Sequence, residues 1–296
     1  MPADEVARLE ALAGVGRAVD VAAETRLHLS SPTGLRRAAQ LADHLSAYNA
    51  TSDLVPFFGD HRLPHTEAHY QLQNSVSLAY HGFYSQSFST LRSVCELSLL
   101  QASLSEGDVV SDEKLDLLSS MLPPGEVLPG VDQVNWVFPL GFGAKQSPNQ
   151  DAESLEEWAI NGSRTPWRRQ MLGQLLDSDV AKRFDSETHL SARLGESMGE
   201  LDSYVHTRGR LRSATGLSNA NFLRFSEDSL SMFTTRMMCA TQVSVAMLLL
   251  AFLPSATSVA EAAAGFIDDG DLHRALSILP AKDAELLRAM YDERDG

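Results

Sequence analysis

Arg92 and Glu96 stand four residues apart in the segment Ser89 to Leu97, and Asp202 and His206 repeat that spacing in the segment Gly199 to Gly209. On a helix, residues four apart lie on one face a turn apart, so each pair makes a single polar spot. A carboxylate one turn before an imidazole can fix its tautomer and raise its pKa, which is how a general acid or base is tuned. A plain ion pair at Arg92 and Glu96, and a histidine at a helix C-terminus where the dipole favours a cation, account for the same residues without chemistry. The neighbours are apolar in both segments: Leu91, Val94, Cys95, Leu97 and Leu99 in one, Leu201, Tyr204 and Val205 in the other. An unpaired charge in such surroundings costs several kcal/mol, on the order of 3–5. Arg92, Glu96, Asp202 and His206 are therefore expected to converge in one cluster and are the candidate catalytic residues.

A second titratable group gathers at His61, His65, Glu67 and His69. His65 and His69 have the spacing that puts two imidazoles on one helical face, as some zinc sites require. Glu67 lies midway between them, which is not the zinc-peptidase order, and Pro64 separates them from His61. Surface histidines at a helix entrance are the simpler reading, so no metal and no cofactor are expected. Arg208, Arg210 and Arg212 form a basic run beside His206, and Trp167, Arg168 and Arg169 a smaller basic and aromatic patch. Arginine and aromatic groups suit phosphate contact and base stacking, while solvated arginines are the plain alternative. No phosphate-binding glycine loop, nucleophile elbow or paired-cysteine site occurs.

The elements that must position these residues read as helices. The chain has 296 residues and a formal charge of −15, which argues against a surface that tracks nucleic acid throughout. Its two cysteines, Cys95 and Cys239, lie in apolar helical patterns and offer no disulfide framework. Apolar spacing predicts helices over Asp4–Leu29, Gly34–Tyr48, Thr66–His81 and Tyr84–Ser105, with a loop over Asn49–Pro64 and a junction at Gly82. Prolines and glycines crowd residues 119–154, leaving room for no more than a turn or a short strand at Val134–Phe138. Helices follow near Leu155–Ile160, Pro166–Leu176, Ser186–Val205, Asn221–Leu253, Ala256–Ile267 and Ala281–Arg294, with a break over Thr207–Gly216. The apolar run Met237–Leu253 contains Thr241, Gln242 and Ser244 and reads as a buried core helix, not a membrane span. The expected fold is all-α, a helical bundle in a single domain, with an irregular Pro/Gly-rich insertion and a small C-terminal helical extension over 256–294. The acidic start lacks the pattern of a signal peptide, and the expected location is the cytoplasm.

The Gly82-Phe83-Tyr84 junction, the helix carrying Leu91-Arg92 and Glu96, and the segment Leu201-Asp202-Ser203-Tyr204-Val205-His206-Thr207-Arg208-Gly209 resemble the HEPN-like α-helical proteins of bacteria. The resemblance spans mainly residues 66–253. Some such proteins belong to toxin–antitoxin or phage-defence systems, so it implies a role in defence or stress, RNA as a partner, an antitoxin or other protein partner, and a homodimer. HEPN ribonucleases carry an arginine a few positions before a histidine on one helix; here His206 matches the histidine, while Glu196 to Val205 contains no arginine. Under this resemblance His206 is the base that removes the RNA 2′-hydroxyl proton, and Arg92 or Arg208 stabilises the phosphorane without a metal. Arg208, Arg210 and Arg212 are then RNA contacts. Two readings stand side by side: an RNA-cleaving or RNA-binding effector, and a noncatalytic scaffold whose polar cluster fixes helix register.

Overall fold

A computed structural model describes residues 15–54, 63–103, 168–205, 224–262 and 269–292. Among these, all regular structure is α-helical: α1 Val15–Leu29, α2 Pro32–Leu54, α3 Leu63–Tyr80, α4 Tyr84–Ser103, α5 Arg168–Leu175, α6 Asp179–Thr188, α7 Leu190–Val205, α8 Glu227–Ala262, α9 Asp269–Ser277 and α10 Ala281–Asp292. The expected all-α bundle is what forms. The insertion over 119–154, the strand at Val134–Phe138, the helix near Leu155–Ile160 and the break at Thr207–Gly216 lie outside the described residues.

The chain forms two compact units. The first draws on Met1–Leu45, His69–Cys95 and Leu194–Thr241, the second on Ser46–Ala68, Glu96–Arg193 and Gln242–Gly296. In the first, Phe88, Leu91, Leu201 and Phe233 are fully buried, and Tyr84 nearly so. In the second, Tyr48, Leu99, Phe184 and Leu287 are among the fully buried large side chains around which its helices close.

Local chemistry sets the helix ends. Ser31 caps α2 by accepting the Gly34 amide at 3.1 Å, with Pro32 in the first position where its missing N–H costs nothing. Ser178 caps α6 in the same way through the Ala181 amide, and Ser226 caps α8 through the Ser229 amide. Glu227 and Asp228 then place negative charge on the first turn of α8, where the dipole favours it.

Several expected boundaries move. Helix α2 runs through Leu54 because Ala50, Thr51 and Leu54 continue its buried face, and α3 begins at Leu63, so both ends of the loop expected over Asn49–Pro64 are helical. The helix expected over Ser186–Val205 is broken at His189, which adopts the left-handed conformation (φ 56°) and donates its N–H to the Asp185 carbonyl at 2.8 Å. Asp185 then accepts the Ser191 amide and hydroxyl at 2.7 and 2.8 Å, so one carboxylate starts α7. Helix α8 continues past Pro254 to Ala262, and α9 occupies a stretch where the sequence suggests none. Over Glu227–Phe252, α8 is apolar and long enough to cross a membrane, yet 72% of its most apolar window is buried, as in a core helix.

Candidate functional site

Arg92 and Asp202 meet. Both belong to the first unit, Arg92 on α4 and Asp202 near the end of α7, and the Arg92 Nε–H donates to Asp202 Oδ1. Their side chains are 24% and 33% exposed, so the pair lies at the edge of the core, neither sealed from water nor fully in it. A guanidinium and a carboxylate in this setting form a charge-assisted hydrogen bond about twice as strong as a neutral one.

The same end of α7 is held in two further ways. Glu200 pairs with Arg236 of α8, with both side chains about a third exposed. Tyr204 stacks on Phe88 with ring centroids 4.2 Å apart, and Phe88 in turn meets Phe233 at 6.0 Å. The Tyr204 hydroxyl points at the Met232 sulfur, 3.5 Å away. Two ion pairs and an aromatic stack thus flank the helix end that carries Asp202.

Glu96 is half-buried one turn beyond Arg92 on α4 and belongs to the second unit. His206, Arg208, Arg210 and Arg212 lie outside the described residues, as do His61 and Trp167. Arg168 and Arg169 are exposed at the start of α5, in the plain solvated arrangement.

The histidines of α3 are occupied by the protein itself. His65 is fully buried; its Nε2 lies 3.1 Å from the Ser52 hydroxyl, its ring centroid 5.4 Å from Tyr48, and its backbone N–H donates to Gln101 Oε1 at 3.1 Å. That last bond satisfies an amide of the first turn of α3 that the helix itself leaves open. The Gln73 amide donates to His69 Nε2 at 2.8 Å, and burial lowers the His69 pKa. Among the described residues no cluster of three or more His, Cys, Asp or Glu side chains could hold a metal ion.

Sequence reasoning missed two buried polar pairs. His44 of α2 is 5% exposed and places Nδ1 2.5 Å from the Thr241 hydroxyl of α8. Thr241 has one hydroxyl hydrogen, used in its bond to the Met237 carbonyl at 2.8 Å, so its oxygen accepts from His44 Nδ1–H. Burial pushes the His44 pKa down to about 4, against a smaller opposing pull from Asp43, so the ring is neutral at pH 7. The signal was in the sequence: His44 falls between Leu41 and Tyr48 at three- and four-residue spacing, on the apolar face of α2. The other pair joins the Tyr48 hydroxyl to Ser98 at 2.8 Å.

No family model, no curated relative and no solved structure matches this chain.

Proposed function

We propose that this chain is a HEPN-like helical protein of bacterial defence or stress response that works as a noncatalytic interaction or scaffold protein, its Arg92–Asp202 pair fixing the register of α4 against α7. The observation that carries this reading is the engagement of Arg92 by a carboxylate. A guanidinium already compensated in this way is a poor receptor for the charge of a phosphorane, because phosphate must first displace Asp202 and leave it unpaired. The surrounding Glu200–Arg236 pair and the Phe88–Tyr204 stack support the same role, since they brace the end of α7 by ordinary packing and ion pairing. Two cysteines that form no disulfide, and the burial of α8, support placing the protein in the cytoplasm. The partners in this reading are another protein, such as an antitoxin, and a second copy of the chain.

The RNA-cleaving effector is the second reading, favoured by the bridge between Arg92 and Asp202, which joins two segments that carry the HEPN resemblance. There Asp202 orients Arg92, His206 is the base, and Arg208, Arg210 and Arg212 hold the RNA backbone. Incubating the purified protein with total RNA in chelator, beside His206→Ala and Arg92→Ala, separates the two. The scaffold reading expects intact RNA throughout and a lower melting temperature for Arg92→Ala. Cleavage by the wild type that disappears in His206→Ala replaces it with the effector.

A further inference from the structure

The turn between α1 and α2 is built on a close backbone approach. A Cβ on Gly34 would lie 2.0 Å from the His28 carbonyl oxygen and 2.7 Å from Leu29 Cα, so glycine is what lets the first turn of α2 fold back on the end of α1. That approach brings Arg37 to His28, with Arg37 Nη1 2.9 Å from His28 Nε2. A guanidinium carries only donors, so the His28 nitrogen accepts and the ring holds its proton on Nδ1. Arg37 is half-buried, donates to a neutral group, and makes no ion pair among the described residues.

Positive charge collects around this pair without being offset. Between Glu24 and Asp43 the chain carries Arg26, His28, Arg36 and Arg37 and no carboxylate, in a protein whose formal charge is −15. Arg36 is exposed. The segment entering α8 adds Arg224, half-buried, whose Nε–H is buried with no hydrogen-bond partner among the described residues. A buried donor left open on a charged group is costly until something accepts from it. Phe225, next in the chain, sets its ring 5.1 Å from the His28 ring. The Tyr84 hydroxyl holds the same segment through the Ser226 carbonyl; burial raises its pKa, and the Ser226 bond and the Arg37 charge pull against that rise, which sets Arg37 beside this segment. All of these residues belong to the first unit. One carboxylate approaches, Glu227, with Oε1 4.0 Å from His28 Nε2 and a side chain 60% exposed. The Nε2 lone pair already faces Arg37, so Glu227 finds no proton there and acts only as a competing charge.

Uncompensated guanidinium groups of this kind bind an anion with several acceptor oxygens. A carboxylate brings one charge and two oxygens; a phosphate dianion brings about two charges and three oxygens, the better match to Arg37 with further cations around it. We propose that Arg37, oriented by His28, anchors a binding site for a phosphate dianion, free or as a small monoester, with Arg36 and Arg224 adding charge. This goes beyond the function proposed above and does not depend on it, since the Arg92–Asp202 pair takes no part.

The test is calorimetric titration of the full chain with inorganic phosphate and with adenosine monophosphate in chloride buffer. Wild type is expected to bind both; tighter binding of the nucleotide adds a base contact to the site, and equal binding assigns it to the phosphate group alone. Arg37→Gln should weaken binding at least about tenfold. Glu227→Gln removes the competing charge and should tighten binding about threefold, a gain that a misfolded protein cannot imitate. Arg274→Gln, which alters an exposed arginine of the second unit paired with Asp271, should leave binding unchanged. Circular dichroism melting establishes that each variant is folded. No binding of either compound by wild type up to about 10 mM, binding by Arg37→Gln equal to wild type, or the same loss in Arg274→Gln as in Arg37→Gln each overturns the proposal.

Discussion

Arg92 and His44 are both polar side chains on helix faces that are otherwise apolar, and each is stabilised by a different kind of partner. Arg92 is paired with the Asp202 carboxylate at the edge of the core. Among the described residues His44 meets the Thr241 hydroxyl across the helices and no carboxylate, so burial, against a smaller pull from Asp43, holds it neutral with a pKa of about 4. The sign of the pH effect follows. The unfolded imidazole takes up a proton near its ordinary pKa of about 6.5 while the folded one resists, so stability is fully present above that pH and is lost as pH falls toward 4. That window corresponds to on the order of 3 kcal/mol. Comparing unfolding of wild type and His44→Gln between pH 7 and pH 4.5 should show a shallower acid loss in the variant; equal slopes would remove His44 from the account. The charged residues of this site were legible because Arg92 and Asp202 interrupt apolar runs. Thr241 was not, since a threonine in a helix that already bonds its own backbone gives no sign of a partner 197 residues away.

At the scale of elements, the turns carry the strain and the sequence shows only part of it. Gly82 has φ 83°, and a Cβ there would lie 2.9 Å from Val21 Cγ1 and 3.1 Å from the Arg224 carbonyl oxygen. Tyr84 follows at once and its hydroxyl donates to the Ser226 carbonyl at 3.2 Å, so this junction braces the entry to α8. Gly82→Ala should therefore cost about 1–3 kcal/mol, through both the left-handed backbone and the close approach. Gly173, inside α5, has nothing within 4 Å of its Cβ position, and Gly173→Ala should stabilise by about 0.5–1 kcal/mol. Denaturant melts of the two variants check this, and a Gly82→Ala protein as stable as wild type contradicts it. The Gly82 junction was readable because glycine marks such conformations. The break between α6 and α7 was hidden, because it turns on a non-glycine residue, His189, in the left-handed region, and no glycine or proline stands within five residues of it to mark a turn. Helix α9 was missed for the opposite reason: Gly270 in its first turn suggests a loop, while Leu272, Ala275 and Leu276 bury its face.

Across the whole molecule, the all-α character follows from apolar spacing that is helical in nearly every segment, and the buried α8 follows from polar residues inside its apolar run. Which helices meet is another matter, since periodicity reports a buried face and not what covers it. The Arg92–Asp202 bridge ties residues 110 apart in the chain, so its contribution must appear in global stability if it fixes the packing of α4 with α7. Both side chains remain partly exposed, which keeps the expected value modest. The decisive measurement is a double-mutant cycle on the unfolding free energy of the full chain with Arg92→Ala, Asp202→Ala and the pair together. A structural bridge predicts that each single variant is destabilised and that the two are coupled by about 1 kcal/mol. Single variants as stable as wild type, with no coupling between them, would contradict the claim that this pair holds the helices in register.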